Sequence, residues 1–165
     1  MDAKEFLASV PFFADVLDDT QLDLLAAEAF RAEFDDRAII IREHDVGDSM
    51  FAIVSGTAEV STRHAGRQTH VATVQRGDVV GEMSLLTGTP RSAKVIAIGP
   101  VVAFEIRRSA LKPILVAAPE LSDRFAAMLD KRRAELDRIH GDGYWNLYGL
   151  PRERIGPTIR KLLVN

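Results

Sequence analysis

The sequence changes character at one stretch, which reads Gly77-Asp78-Val79-Val80-Gly81-Glu82-Met83-Ser84-Leu85-Leu86-Thr87-Gly88-Thr89-Pro90-Arg91-Ser92-Ala93. A β-rich pattern stops here, and a glycine, a glutamate and a short helix-like run follow before the pattern returns. A connection this elaborate between two strands is more often functional than structural. Residues 77–93 therefore hold the main clue to both the fold and the function.

The segments on either side of this stretch carry the spacing of short strands. Between about 36 and 107, six β-rich runs are separated by glycines at intervals of 9 to 11 residues. Turn signals at this spacing are typical of antiparallel sandwiches and barrels. The predicted strands are Ala38–Arg42, Met50–Val54, Ala58–Thr62, His70–Val74, Lys94–Ile98 and Val101–Ile106.

Helical patterns flank the strands at both ends. Residues 2–30 have helical spacing, with a break at Pro11 and a helix cap at Asp18 or Asp19. After Ser109 two helices are predicted, with a hinge at Ala118–Pro119 between them. Strands flanked by helices indicate an α+β fold, here an antiparallel β-roll or jelly-roll barrel.

The predicted organisation is one domain over residues 1–140 and a tail over 141–165. The domain consists of a helical part (1–34), a β-roll (35–108) and hinge and lid helices (109–140). The tail contains several glycines and prolines, so we expect it to be broken into short pieces.

The composition is that of a globular protein and excludes several classes. The chain has 165 residues, 47% of them hydrophobic, a net charge of -3 and no cysteine. One domain fits this length, and disulfides and cysteine-ligated zinc are excluded. No apolar run of about 18 residues occurs, so no transmembrane helix is predicted. We expect a cytoplasmic protein, or a cytoplasmic domain of a membrane protein.

The stretch from 77 to 93 resembles the phosphate-binding cassette of the cyclic-nucleotide-binding domain family. The family pattern is Gly-Glu-x-(Ser/Ala)-Leu followed, a few residues later, by Arg-(Ser/Thr/Ala)-Ala, and every element is present. The upstream run from Gly47 to Gly56 also resembles β-roll turns of the family. The similarity covers about residues 5–140 and includes the catabolite-activator and channel types, with the lid sequence most like that of bacterial channel-linked members.

The chemistry of the cassette agrees with this resemblance. A turn that opens into a helix after Gly81 presents backbone N–H groups to an anion. Arg91 can form a forked, charge-assisted bond with a phosphate. Glu82 can accept a hydrogen bond from a ribose 2′-hydroxyl. Ser92 can reach either the phosphate or the base, which leaves cAMP and cGMP both open.

The predicted ligand-binding set combines the cassette with three residues outside the Gly-Glu and Arg-Ser-Ala motifs. Val71 and Val80 are predicted to form an apolar wall, and Arg132 belongs to the lid helix. The full set is Gly81, Glu82, Met83, Ser84, Arg91, Ser92, Ala93, Arg132, Val71 and Val80.

Arg132 falls in the middle of an apolar helical stripe, where a charge requires an explanation. The stripe is formed by Leu121, Phe125, Met128, Leu136 and Ile139. The resemblance implies that this helix is a lid and that Arg132 stacks on, or hydrogen-bonds to, the base. The alternative is a snorkelling arginine or an ion pair with a carboxylate of the chain. Arg133 is predicted to be solvated.

No pattern for catalysis or metal binding is present, so no enzyme, no catalytic residue, no metal and no cofactor are predicted. The predicted function is a cyclic nucleotide sensor, with cAMP as the first choice and cGMP as the second. It would relay ligand binding to an effector such as an ion channel. The alternative is a ligand-free scaffold domain that docks a protein through Tyr144, Trp145 and Tyr148. The tail is too short for a DNA-binding module, and DNA binding is not expected.

Overall fold

The computed structural model describes residues 2–140 and 150–165. The aromatic cluster of Tyr144, Trp145 and Tyr148 lies outside the described residues, so its docking role stays a prediction. Within the described ranges, no helix is both long enough and apolar enough to cross a membrane.

Three short helices open the chain: α1 (Ala3–Leu7), α2 (Pro11–Ala14) and α3 (Asp19–Ala27). Asp18 caps α3 through a reciprocal capping box with Gln21, which settles the choice between the two aspartates. Pro11 stands at the first position of α2, where its missing N–H costs nothing.

Six antiparallel strands form one sheet. They are β1 (Phe30–Phe34), β2 (Ile39–Ile41), β3 (Ser49–His64), β4 (Arg67–Val74), β5 (Val79–Val80) and β6 (Lys94–Arg107). The strand order is β1-β6-β3-β4, with β2 also paired to β6 and β5 also paired to β3. The α+β class and the antiparallel β-roll are therefore as predicted.

Two details of the strand prediction are wrong. The helical assignment of residues 1–34 fails at β1, because Phe30 pairs with Glu105 and Phe34 with Val101 in the sheet. Four of the predicted runs are also halves of β3 and β6. The register of the β3–β6 pair shifts between Ile53 and Thr57, so the glycine in that interval marks an irregularity within the strand and not a turn.

The buried residues form two cores. One lies within the β-roll and contains side chains from β2 to β6, among them Phe51, Ile53 and Val95. The other joins the N-terminal helices to the C-terminal helices, with Phe6, Phe13 and Phe125 fully buried. Because the second core spans the cassette and the lid helix, the cassette borders both cores.

The remaining helices are α4 (Glu82–Thr87), α5 (Arg108–Ala117), α6 (Leu121–His140) and α7 (Arg152–Leu163). The cassette contains α4, while α5 corresponds to the predicted hinge helix and α6 to the predicted lid helix, and we use these names for them below. The break between α5 and α6 coincides with the predicted hinge, and Ala118 there has a non-helical backbone (φ -138°, ψ 74°).

The prediction of a broken tail is wrong for residues 152–163. These form α7, although Gly156 and Pro157 lie inside it. Ile155, Ile159 and Leu163 recur every four residues and are at most 1% exposed, so they bury one continuous stripe in the core. Burial of that stripe outweighs the poor helix propensity of glycine and proline.

Candidate functional site

All ten residues of the predicted ligand-binding set line one cavity of about 430 Å³. This volume is within the range of about 300–1,000 Å³ that is usual for small-molecule sites. The cavity lies between the cassette, β4 and the lid helix. Residues that the sequence did not single out also line it: Ile41, Val60, Ala72, Thr73, Val74, Asp78, Val79, Val95 and Glu135.

Gly81 sets the geometry of the cassette. It precedes α4 with a φ of +84°, a left-handed conformation that glycine adopts without strain. A Cβ atom at this position would lie 2.6 Å from Nη1 of Arg91. The conformation and the close approach both require glycine, so the backbone of residue 81 can contact the guanidinium directly.

Arg91 is a buried cation held by neutral groups. The residue as a whole is only 7% exposed. Nη1 donates to the carbonyl oxygen of Gly81 at 3.0 Å, and Nη2 donates to Oγ of Ser49 at 3.3 Å. Burial lowers the pKa of Arg91 from its usual value, and the nearby charges of Asp48 and Glu82 partly oppose that shift.

Gly47 forms the floor beneath this guanidinium. A Cβ atom at Gly47 would overlap Nε and Cζ of Arg91. The run that begins at Gly47 and includes Ser49 therefore shapes the pocket for Arg91 from one side, while Gly81 shapes it from the other. A carbonyl and a hydroxyl group fix the guanidinium in place, and neither of these two bonds compensates its charge.

Glu82 is bound to the lid helix. Its side chain is 8% exposed, and its Oε1 lies 3.2 Å from Nη2 of Arg132. The same Nη2 donates to the carbonyl oxygen of Val79 at 3.1 Å. The guanidinium also lies 5.9 Å from the ring centroid of Phe12. The structure thus contains the ion pair that was the alternative for Arg132, and the contact of Arg132 with a base stays a prediction.

The described side chains of the apolar stripe around Arg132 are buried or half-buried. Leu121 and Phe125 are buried and Met128 is half-buried. The side chains of Leu136 and Ile139 lie outside the described part of the chain. The prediction for Arg133 is wrong, because its side chain is 15% exposed and bonded to Asp130 at 2.7 Å.

The other predicted residues line the remaining surface of the cavity. Val71 and Val80 are 3% and 6% exposed. Met83 and Ser84 are buried on α4, while Ser92 and Ala93 are half-buried. Two of the lining residues that the sequence analysis missed could have been identified from the sequence. Val74 is a valine of the same predicted strand as Val71, and Glu135 follows Arg132 by about one helical turn.

Residues 31–117 match the family model described as the cyclic nucleotide-binding domain. The chain belongs to the cyclic nucleotide-binding domain family. The matched range includes the whole cassette and the hinge helix α5. It ends before the lid helix, so any role of Arg132 rests on the geometry of this structure and not on the match.

Two curated proteins illustrate where such domains occur. The chain is 34% identical over 112 residues to a cGMP-dependent protein kinase of Eimeria tenella, which covers 68% of this chain and 11% of the kinase. It is 32% identical over 96 residues to a cyclic nucleotide-gated potassium channel of Rhizobium etli, which covers 58% of this chain and 26% of the channel. The chain thus matches only a minor part of the length of either relative.

Solved structures show the same fold. A cyclic nucleotide-binding domain from Methylobacillus flagellatus superposes with a TM-score of 0.72 at 22% identity, covering 84% of both chains.

Within residues 2–140 and 150–165, no group of three or more His, Asp or Glu side chains is arranged to hold a metal ion.

Proposed function

We propose that this domain binds cAMP and regulates an attached or associated effector. The observation that carries the proposal is the Arg91 guanidinium, buried in the cavity wall with two neutral hydrogen-bond acceptors. Keeping an arginine charged in such surroundings is costly, and an anion that enters the cavity offsets the cost. Arg91 would bind the cyclic phosphate.

Glu82 would bind the ribose. A carboxylate has about four acceptor sites on its two oxygens, so the bond from Arg132 to Oε1 leaves capacity for a ribose 2′-hydroxyl. Arg132 would hold the Glu82 carboxylate in place while the hydroxyl donates to it. This role places the lid arginine close to the nucleotide, where it can also contact the base.

The wall of the cavity favours adenine over guanine. Its lining includes six branched aliphatic side chains: Ile41, Val60, Val71, Val74, Val80 and Val95. Guanine has more polar groups than adenine, and each one that is buried against valine without a partner costs free energy. The kinase of Eimeria tenella is named for cGMP, so cGMP is the alternative that the experiment must test.

Ligand binding would be relayed by the hinge and lid helices. The nucleotide would strengthen the contact of α6 with the cassette, and the break at Ala118 would allow α6 to move relative to α5. A channel is one fitting effector, as in the similar potassium channel of Rhizobium etli. The domain would act in the cytoplasm as a non-catalytic module, and its lack of cysteine fits a reducing compartment.

Thermal unfolding with and without nucleotide tests this proposal. A ligand present at 100 times its Kd adds about 2.7 kcal/mol to the free energy of unfolding. We expect cAMP to raise the Tm clearly and cGMP to raise it less. Equal melting curves with and without both nucleotides would favour the scaffold function instead.

A further inference from the structure

Arg108, the first residue of the hinge helix, is bonded to the cassette helix. Its Nε donates to the carbonyl oxygen of Leu85 and its Nη2 donates to that of Ser84, each at 2.7 Å. Both carbonyls belong to α4, which lasts only from Glu82 to Thr87. One side chain of α5 therefore holds two backbone groups of the helix that carries Glu82.

Arg108 is also bonded to the segment that supports Arg91. Its backbone N–H donates to the carbonyl oxygen of Asp48 at 2.7 Å. Its Nη2 also lies 3.5 Å from the carbonyl oxygen of Gly47, the residue that packs against the Arg91 guanidinium. Arg108 thus joins both halves of the phosphate site to the start of α5.

We propose that Arg108 is a positioning residue that couples the cassette to the hinge helix. This inference rests on the proposed function, because it concerns how nucleotide binding is passed on. A displacement of α4 on ligand binding would move Ser84 and Leu85, and the two short bonds would carry that displacement to the first turn of α5. The hinge at Ala118 and the lid helix follow at the other end of α5.

The coupling depends on the shape of the arginine side chain as well as on its charge. A planar guanidinium can donate from Nε and Nη2 to two neighbouring carbonyl oxygens at once. A lysine ammonium is a single point and cannot keep both bonds in the same geometry. Carbonyl oxygens near the end of a helix also attract a cation, which favours a positively charged side chain at this place.

The test compares two variants of Arg108 with a matched control. Arg108→Met removes the bonds and the charge, and Arg108→Lys keeps the charge. Arg107→Met removes the same charge from the adjacent exposed arginine, which contacts Glu105 and the ring of Phe30 only at the surface. Because the chain contains no cysteine, a pair of spin labels can be placed at Ser55→Cys on β3 and Lys131→Cys on α6.

The readouts are the change in label-to-label distance on adding cAMP or cGMP and the Kd from titration of the same proteins. The parent and Arg107→Met should show the same distance change. Arg108→Met should lose most of it and Arg108→Lys about half, while their affinity falls less than that of Arg91→Ala. A merely structural role would lower the Tm and leave the distance change at saturating nucleotide intact.

The outcomes separate this inference from the proposed function. A parent that binds neither nucleotide overturns both. A parent that binds, with folded Arg108 variants that give the full distance change, overturns the coupling role alone. If Arg108→Met does not fold, Arg108→Lys tests the coupling role instead. A full distance change in Arg108→Lys would show that coupling does not require the two bonds from one guanidinium.

Discussion

Nη2 of Arg132 on the lid helix lies 3.2 Å from Oε1 of Glu82 at the start of the cassette helix. The two residues are far apart in the sequence and come from different elements of the cavity wall. Their ion pair links the part of the site that would bind the ribose to the part that would move. The bond of the same guanidinium nitrogen to Val79 strengthens this link.

The ion pair between Glu82 and Arg132 predicts non-additive mutations. Arg132→Met leaves a carboxylate of a nearly buried residue without its cation and should destabilise the fold by about 1–3 kcal/mol. Adding Glu82→Gln should cost less in the Arg132→Met background than in the parent, because the pair is already broken. Urea unfolding of the four proteins measures the coupling, and strictly additive values would contradict a direct interaction.

Arg91→Ala should weaken cAMP binding about ten- to hundred-fold, because a charged hydrogen-bond donor to the phosphate is lost. The cAMP affinity of Arg91→Lys should lie between those of Arg91→Ala and the parent, since lysine keeps the charge but lacks the planar set of donors. The exposed Arg67→Ala serves as the control and should bind as the parent does. Unchanged affinity in folded Arg91→Ala would remove the phosphate role.

Gly47→Ala should reduce cAMP affinity with little loss of stability. The added Cβ overlaps the Arg91 guanidinium and displaces it from its place. Gly66→Ala is the converse control, because Gly66 has a φ of +77° and open space around it. That variant should lose about 1 kcal/mol of stability from backbone strain and keep its affinity. Titration and melting of both proteins check the contrast, and normal binding by Gly47→Ala would contradict the packing argument.

Ile159→Ala in α7 should lower the free energy of unfolding by about 2–5 kcal/mol, because this side chain is fully buried. Arg154→Ala on the exposed face should change it by less than about 0.5 kcal/mol. Denaturant unfolding gives both values. Equal stability of the two variants would mean that α7 does not belong to the core.

The sequence was most informative where local chemistry and long-range structure agree. The cassette could be read because Gly81, Glu82 and Arg91 stand at fixed spacing, and the structure places them around one cavity. Their roles in ligand binding stay predictions until nucleotide is bound. The hinge could be placed because Pro119 disfavours a helix in the preceding residue.

The failures have two causes: a local signal that was missed, and tertiary contacts that override local preference. Phe30–Phe34 pairs with β6, and its alternation of apolar and polar residues is a strand signal that the helical assignment missed. The helix α7 forms despite Gly156 and Pro157 because its stripe fits a core made by distant helices. Arg133 forms an ion pair with Asp130 of the same helix. The prediction that Arg133 is solvated used only its direction on the helix and did not consider this ion pair.

Isothermal titration of the protein with cAMP and, separately, with cGMP tests whether the cavity around Arg91 and Glu82 binds a cyclic nucleotide. We expect cAMP to bind with a Kd in the micromolar range or tighter, and cGMP to bind more weakly. A correctly folded protein that binds neither nucleotide would contradict this expectation, and the cavity around Arg91 and Glu82 would then not be a nucleotide site.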